Sequence, residues 1–271
     1  MGGVRVPLSG GNFPQGTTGG GNGEKMPGPK WYISDMSARS LHHATEQLYA
    51  VFAAYPRKTM HYCDCGCTDP EEVAVLYHHP LRETNEGLAN YTFSAITTMG
   101  DLEDFKHFLP RLLELSFADW KVSAVDLDDL GRKMIYAEWR KWPSPEVTAV
   151  RNYLLESWGH AINVNPDTDV NTLLRTYLDL IPLPDLLAVW EVATSTAALD
   201  NFIDFFYHYG YEVLDDKYPS RKYSLRADFA VFLREQRVGE LVEARFFALA
   251  EGGGDLSAEA SAVAGMLEGQ Q

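Results

Sequence analysis

All three cysteines of the chain fall within five positions, as Cys63, Cys65 and Cys67 in HYCDCGCTDPEEV, with His61 just ahead of them. Thiolates and an imidazole are ligands that structural zinc takes, four to a tetrahedral site. The alternating spacing would aim all four along one side of an extended chain. At about 3.3 Å per residue, however, they would spread over roughly 20 Å, too far to close on one ion. A tight turn at Gly66 could bring two or three thiolates together. Structural zinc sites usually separate paired cysteines by two to four residues, whereas here a single residue intervenes. His78 and His79 lie at the far end of the following helix, roughly 15 Å away at 1.5 Å per residue. His61 is therefore the better fourth donor, and the metal reading is zinc held by His61, Cys63, Cys65 and Cys67.

Two other readings of the same residues stay open. TDPEEV is a strong helix start, with Asp69 able to cap and Pro70 in the first turn. A helix N-terminus lowers a thiol pKa, which would make Cys67 the reactive member of a redox site. Asp64, Asp69, Glu71 and Glu72 surround the cluster and oppose that thiolate. The third reading is a turn whose thiols do no chemistry.

Other chemical patterns are incomplete. Asp167, Asp169 and Asn171 have calcium-loop spacing, but Thr172 replaces the glycine and Leu178 the bidentate glutamate, so a helix cap is expected. Glu103 with His107, and Glu156 with His160, stand one helical turn apart without the Glu-x-x-His spacing of a carboxylate-bridged di-iron site. Neither a Gly-x-Ser-x-Gly elbow nor a Gly-x-Gly-x-x-Gly loop occurs. GGGNGEKM lacks the Gly-Lys-Ser/Thr ending of a phosphate loop.

These residues belong to an acidic chain of 271 residues with a formal net charge of −15, 45% hydrophobic and 12% aromatic. Such a composition predicts a packed globule. The charge argues against nucleic acid and anionic membrane as partners, because phosphates repel such a surface. Between Asp64 and Asp129 fourteen Asp and Glu stand against four Lys and Arg, a net of −10. This concentration predicts either a solvated surface or a docking face for a basic protein. No apolar run approaches the roughly 20 residues of a spanning helix. The N-terminus lacks the apolar region of a signal peptide, so the expected location is cytoplasmic.

Helical periodicity dominates from about Ala38. In GDLEDFKHFLPRLLEL, Leu102, Phe105, Phe108, Leu109, Leu112 and Leu113 share one side, with Pro110 predicting a kink or two abutting helices. DLDDLGRKMIYAEWRKW carries two apolar stripes up to Trp142, and the next helix is expected to start with Ser144 as its cap and Pro145 in the first turn. Phe202, Phe205, Phe206 and Tyr209 have the spacing of a core stripe. The prediction is an all-α fold of about ten helices, either an irregular multi-helix bundle or a short HEAT-like solenoid. Residues 1–37 are expected to form a disordered Gly/Pro-rich leader, 38–251 a single helical domain, and 252–271 a flexible tail.

CDCGCTDPEEVAVLYHHPLRE, YTFSAITTMGDLEDFKHFLPRLLEL and YAEWRKWP, taken in order, resemble a family of bacterial proteins of unknown function. Its members look similar in a short Cys-bearing segment, a Pro-Leu-Arg-Glu step, a helix carrying Gly-Asp…Asp-Phe-Lys-His-Phe-Leu-Pro and an aromatic Trp-x-x-Trp-Pro. The resemblance spans roughly residues 61–143 and implies shared fold elements without an activity. Two functions follow from the residues. One is a non-enzymatic helical protein that binds a partner with a basic surface, for example as an immunity-type cover for a toxin or nuclease. The other is a small metal- or thiol-dependent enzyme or redox sensor centred on Cys63, Cys65 and Cys67.

Overall fold

The longest buried stripe belongs to helix α6 (Ser144–Val164), where Val150, Tyr153, Leu154, Trp158 and Ile162 recur at three- and four-residue steps and are buried. That spacing puts them on one side, and the long helices α1 (Lys30–Phe52) and α9 (Thr196–Leu214) pack against α6. The computed structural model describes residues 30–63, 66, 69–85, 87–118, 125–218, 224–252 and 256–268. Side chains are described from Arg39 onward, apart from those of residues 72 and 77. Among the described residues there are twelve α-helices and no sheet, only isolated bridges from Met99 to Tyr62 and Ala95. The fold is all-α.

In the first half, α2 (Pro70–His78), α3 (Leu88–Ser94), α4 (Leu102–Ala118) and α5 (Leu127–Tyr136) follow α1. The chain then returns so that α6 lies along α1, and α4 packs against α1 and bonds to α6 through Leu113 and Lys106. This pairing of distant helices is a bundle arrangement, since solenoid units touch only their sequence neighbours. Asp69 caps α2, its carboxylate accepting from the Glu71 N–H at 2.9 Å, with Pro70 in the first turn as the sequence predicts. Helix α4 continues through Pro110 as one element rather than two. Phe105, Phe108, Leu109, Leu112 and Leu113, all buried, hold it across the hydrogen bond the proline cannot make. Ser144 is the first residue of α6 and not its cap.

In the second half, α7 (Val170–Leu178), α8 (Leu183–Ala188), α10 (Arg226–Glu235), α11 (Val238–Gly252) and α12 (Ser257–Glu268) gather round α6 and α9. An aromatic core joins them. Trp190 packs edge-on to Trp158 at 6.0 Å and to Phe202 at 5.8 Å, and Phe206 meets Phe229 at 5.4 Å. The two indole N–H groups are satisfied, by Leu186 and Ala198 carbonyls. Residues 1–29 of the expected leader lie outside the described residues. Helix α1 begins at Lys30, ahead of residue 38, and residues 257–268 form α12 with Ala260, Val263 and Leu267 buried. Gly210 permits that docking, because a Cβ there would lie 2.5 Å from Met266 Sδ. No helix among the described residues is long and apolar enough to cross a membrane.

Candidate functional site

Of the four expected zinc ligands, two are described. Cys63 is half-buried, and its N–H donates to the Thr98 carbonyl at 2.9 Å. The exposed His61 accepts through its carbonyl from the Gly100 N–H at 2.6 Å. These bonds pin the start of the cluster to the Ser94–Gly100 turn. Cys65 and Cys67 lie outside the described residues. Among the described residues no three His, Cys, Asp or Glu side chains converge as a metal would require.

Part of the acidic middle is paired locally. Lys58 Nζ reaches Asp101 at 2.8 Å and Glu103 at 2.9 Å, and Arg132 pairs with both Asp128 and Asp129. Arg111 holds Glu114 at 2.6 Å. Asp104, which the helical pattern puts on the polar side of α4, is in fact buried. Its carboxylate accepts from the Asp101 N–H at 2.8 Å while Asp101 Oδ1 accepts from the Asp104 N–H at 3.0 Å, a reciprocal cap. Burial raises the Asp104 pKa.

Acid also gathers in a cleft of about 460 Å³ between the α6–α7 turn and α9. Asp167, Asp169, Asp200 and Asp204 line it, with His208, Phe205 and Tyr209. The turn is held from beneath by Asn201, which is fully buried on α9. Its Nδ2 donates to the Ile162 and Asn165 carbonyls at 2.8 and 2.6 Å, and its Oδ1 accepts from the Thr168 N–H at 3.3 Å. Thr168 Oγ1 adds a bond to the Ala161 carbonyl at 2.7 Å. Asp169 caps α7 by accepting from the Thr172 N–H at 3.0 Å, as a cap and not as a calcium ligand.

Asp200 differs from its neighbours. It forms a two-pronged pair with Arg245 of α11, at 2.7 and 2.8 Å. Asp204 lies 3.6 Å from His208 Nε2, and no Lys or Arg among the described residues pairs with Asp167, Asp169 or Asp204. Residues 204, 207, 208 and 211 share one side of α9 by their spacing. Tyr207 and Tyr211 on that side are 43% and 67% exposed. The site is thus a row of carboxylates flanked by open aromatic faces. Carboxylates spread along a cleft suit an elongated cation, and a tyrosine ring attracts a guanidinium or ammonium placed over it.

None of this site was read from the sequence as a whole. Asp167 and Asp169 stand out there as an incomplete calcium loop, and the FIDFFYHYGYEV run shows its buried members. The legible signal was the complementary set, Asp204, Tyr207, His208 and Tyr211, left over once the core stripe is removed. Comparison of the chain with protein-family profiles, with characterised proteins and with solved structures finds no match.

Proposed function

We propose that the protein works by binding, and that its ligand is a partner protein with a basic contact segment. A partner arginine or lysine would enter the cleft beside Asp167, Asp169 and Asp204, while Tyr207 and Tyr211 cover its aliphatic stem and neighbouring side chains. The observation that carries this reading is the coincidence of three carboxylates without a Lys or Arg partner among the described residues and two exposed tyrosines on adjoining surface. Exposed aromatic residues beside a polar cleft are the composition from which binding hot spots are built. In the acidic middle, by contrast, Lys58, Arg111 and Arg132 pair with Asp101, Glu103, Glu114, Asp128 and Asp129.

The test is calorimetric titration with tetra-arginine and with tetra-glutamate as control peptide, over a range of salt. Tetra-arginine should bind, and its affinity should fall as salt rises, since screening shortens the reach of the field to about 8 Å at physiological ionic strength. Asp167→Asn with Asp204→Asn should weaken it about tenfold or more while melting stays unchanged. Binding indifferent to salt and to both substitutions would remove the physical basis of the reading.

A further inference from the structure

The Pro80–Glu83 step and the Lys-His-Phe-Leu-Pro stretch of α4 take no part in the acidic cleft, yet they face each other across a second cavity. It measures about 450 Å³ and opens between the end of α1, the 3-10 turn Leu81–Glu83 and α4. Phe52, Tyr55, Leu81 and Pro110 give it apolar walls, and His107 is half-buried among them. His107 Nδ1 lies 2.8 Å from the Tyr55 carbonyl oxygen. A carbonyl can only accept, so Nδ1 carries the proton and the neutral ring presents Nε2 as a bare acceptor.

No donor among the described residues bonds to Nε2, and the cations nearby are engaged. Arg82 donates to Glu46 at 2.8 Å and lies 3.7 Å over the Tyr49 ring, and Arg57 donates to the His79 carbonyl at 2.8 Å. Lys106, next to His107 in sequence, is turned to Glu146 and Tyr55. Burial holds the His107 pKa below its ordinary value, outweighing the bond to the Tyr55 carbonyl; Arg57 adds to the depression and Asp104 opposes it. Arg82 and Glu83, of opposite charge, line the same cavity. Glu83 is exposed to solvent, so the acceptor set among the apolar walls of this open cleft is His107 Nε2. Pockets of this size and lining are typical of small-molecule sites, at about 300–1,000 Å³.

We propose that this cavity binds a small aromatic molecule carrying a single O–H or N–H donor, a phenol or an indole. Its ring packs on Phe52, Tyr55 and Leu81, and its donor bonds to His107 Nε2. A ring without the donor leaves that nitrogen unpaired on burial and binds less well.

Phenol, indole and toluene are the probes, titrated into the full-length protein while the Tyr55 and His107 ring resonances are followed by NMR. Phenol and indole should give saturable shifts with affinities about tenfold above toluene, the scale of one hydrogen bond. In His107→Phe that advantage should disappear. Phenol affinity should also decline as pH falls through the lowered His107 pKa, because the protonated ring offers a donor in place of the acceptor. Should His107→Phe fail to fold, Ala53→Trp fills the exposed mouth of the cavity and leaves the histidine in place. It should abolish the saturable shifts without lowering the melting temperature. Toluene binding as tightly as phenol, shifts that survive Ala53→Trp, or no saturable shift for any probe would each overturn the proposal.

Discussion

The Lys106 ammonium lies 2.6 Å from the Glu146 carboxylate, with the two side chains only 7% and 9% exposed. Tyr55 closes the group, its hydroxyl donating to Glu146 Oε1 at 2.5 Å and accepting from Lys106 Nζ at 3.0 Å. The ammonium also stands 4.5 Å from the Trp142 ring. This buried triangle ties the end of α1 to α4 and α6. Burial works against the charged lysine, but its bonds to Glu146 and Tyr55 outweigh that and raise its pKa.

Breaking one side of the pair should cost more than removing both. Lys106→Met strands a buried carboxylate and Glu146→Leu a buried ammonium, each worth about 3–5 kcal/mol of stability. The double variant should lose clearly less than the sum, as a urea-unfolding cycle would measure. Additive losses would mean that the two groups are not coupled.

Asn201 should be among the most sensitive polar positions. Asn201→Ala leaves the Ile162 carbonyl and the Thr168 N–H without this partner, at about 1–3 kcal/mol for each group left unsatisfied, while the Asn165 carbonyl keeps Thr168 Oγ1 at 3.1 Å. A fall in melting temperature of about 5–10 °C is expected. Because Asn201 fixes the turn that carries Asp167 and Asp169, tetra-arginine binding should weaken as well.

Asp104 and Asp128 look alike in the sequence and should behave differently. Asp104→Lys buries an unlike charge at the α4 cap and should destabilise by more than about 2 kcal/mol. Asp128→Lys alters an exposed pair and should stay within about 0.5 kcal/mol. Chemical denaturation of the two variants, side by side, distinguishes them.

His107 and His160 both have pKa values lowered by burial from the ordinary 6.5. The unfolded chain therefore binds protons first as pH falls. Stability should be complete above about pH 6.5, decline as pH falls towards the lowered folded values, and level off below them. His107→Gln with His160→Gln should flatten that part of the stability–pH curve.

A zinc site at His61, Cys63, Cys65 and Cys67 remains a separate proposal with its own readout. It requires near-stoichiometric zinc in the purified protein, and Cys63→Ser should lower both metal content and melting temperature, since ligation is coupled to folding. Metal-free protein with an unchanged melting temperature in Cys63→Ser returns the cluster to an inert turn.

Helix identity was written in the sequence because apolar side chains at three- and four-residue steps can be buried in only one backbone geometry. Phe105 to Leu113 and Phe202 to Phe206 needed no partner to be recognised as core, and Asp69 and Asp169 announced their caps through local hydrogen-bonding chemistry alone. Ends set by distant packing were less legible: α12 is held by Gly210 meeting Met266, and α4 crosses Pro110 because its buried face outweighs one lost bond. Charge was the least legible of all. Composition located an acidic excess between residues 64 and 129, but Lys58, outside that window, pairs with Asp101 and Glu103, and Asp104 turns inward. The acidic cleft unites Asp167 and Asp169 with Asp204 across two helices, and the His107 cavity depends on a backbone carbonyl from Tyr55. Period and capping are properties of neighbouring residues, and the sequence states them outright. Whether a charge is paired, or a ring nitrogen left available, depends on what the folded chain brings from far away, and only the tertiary structure decides it.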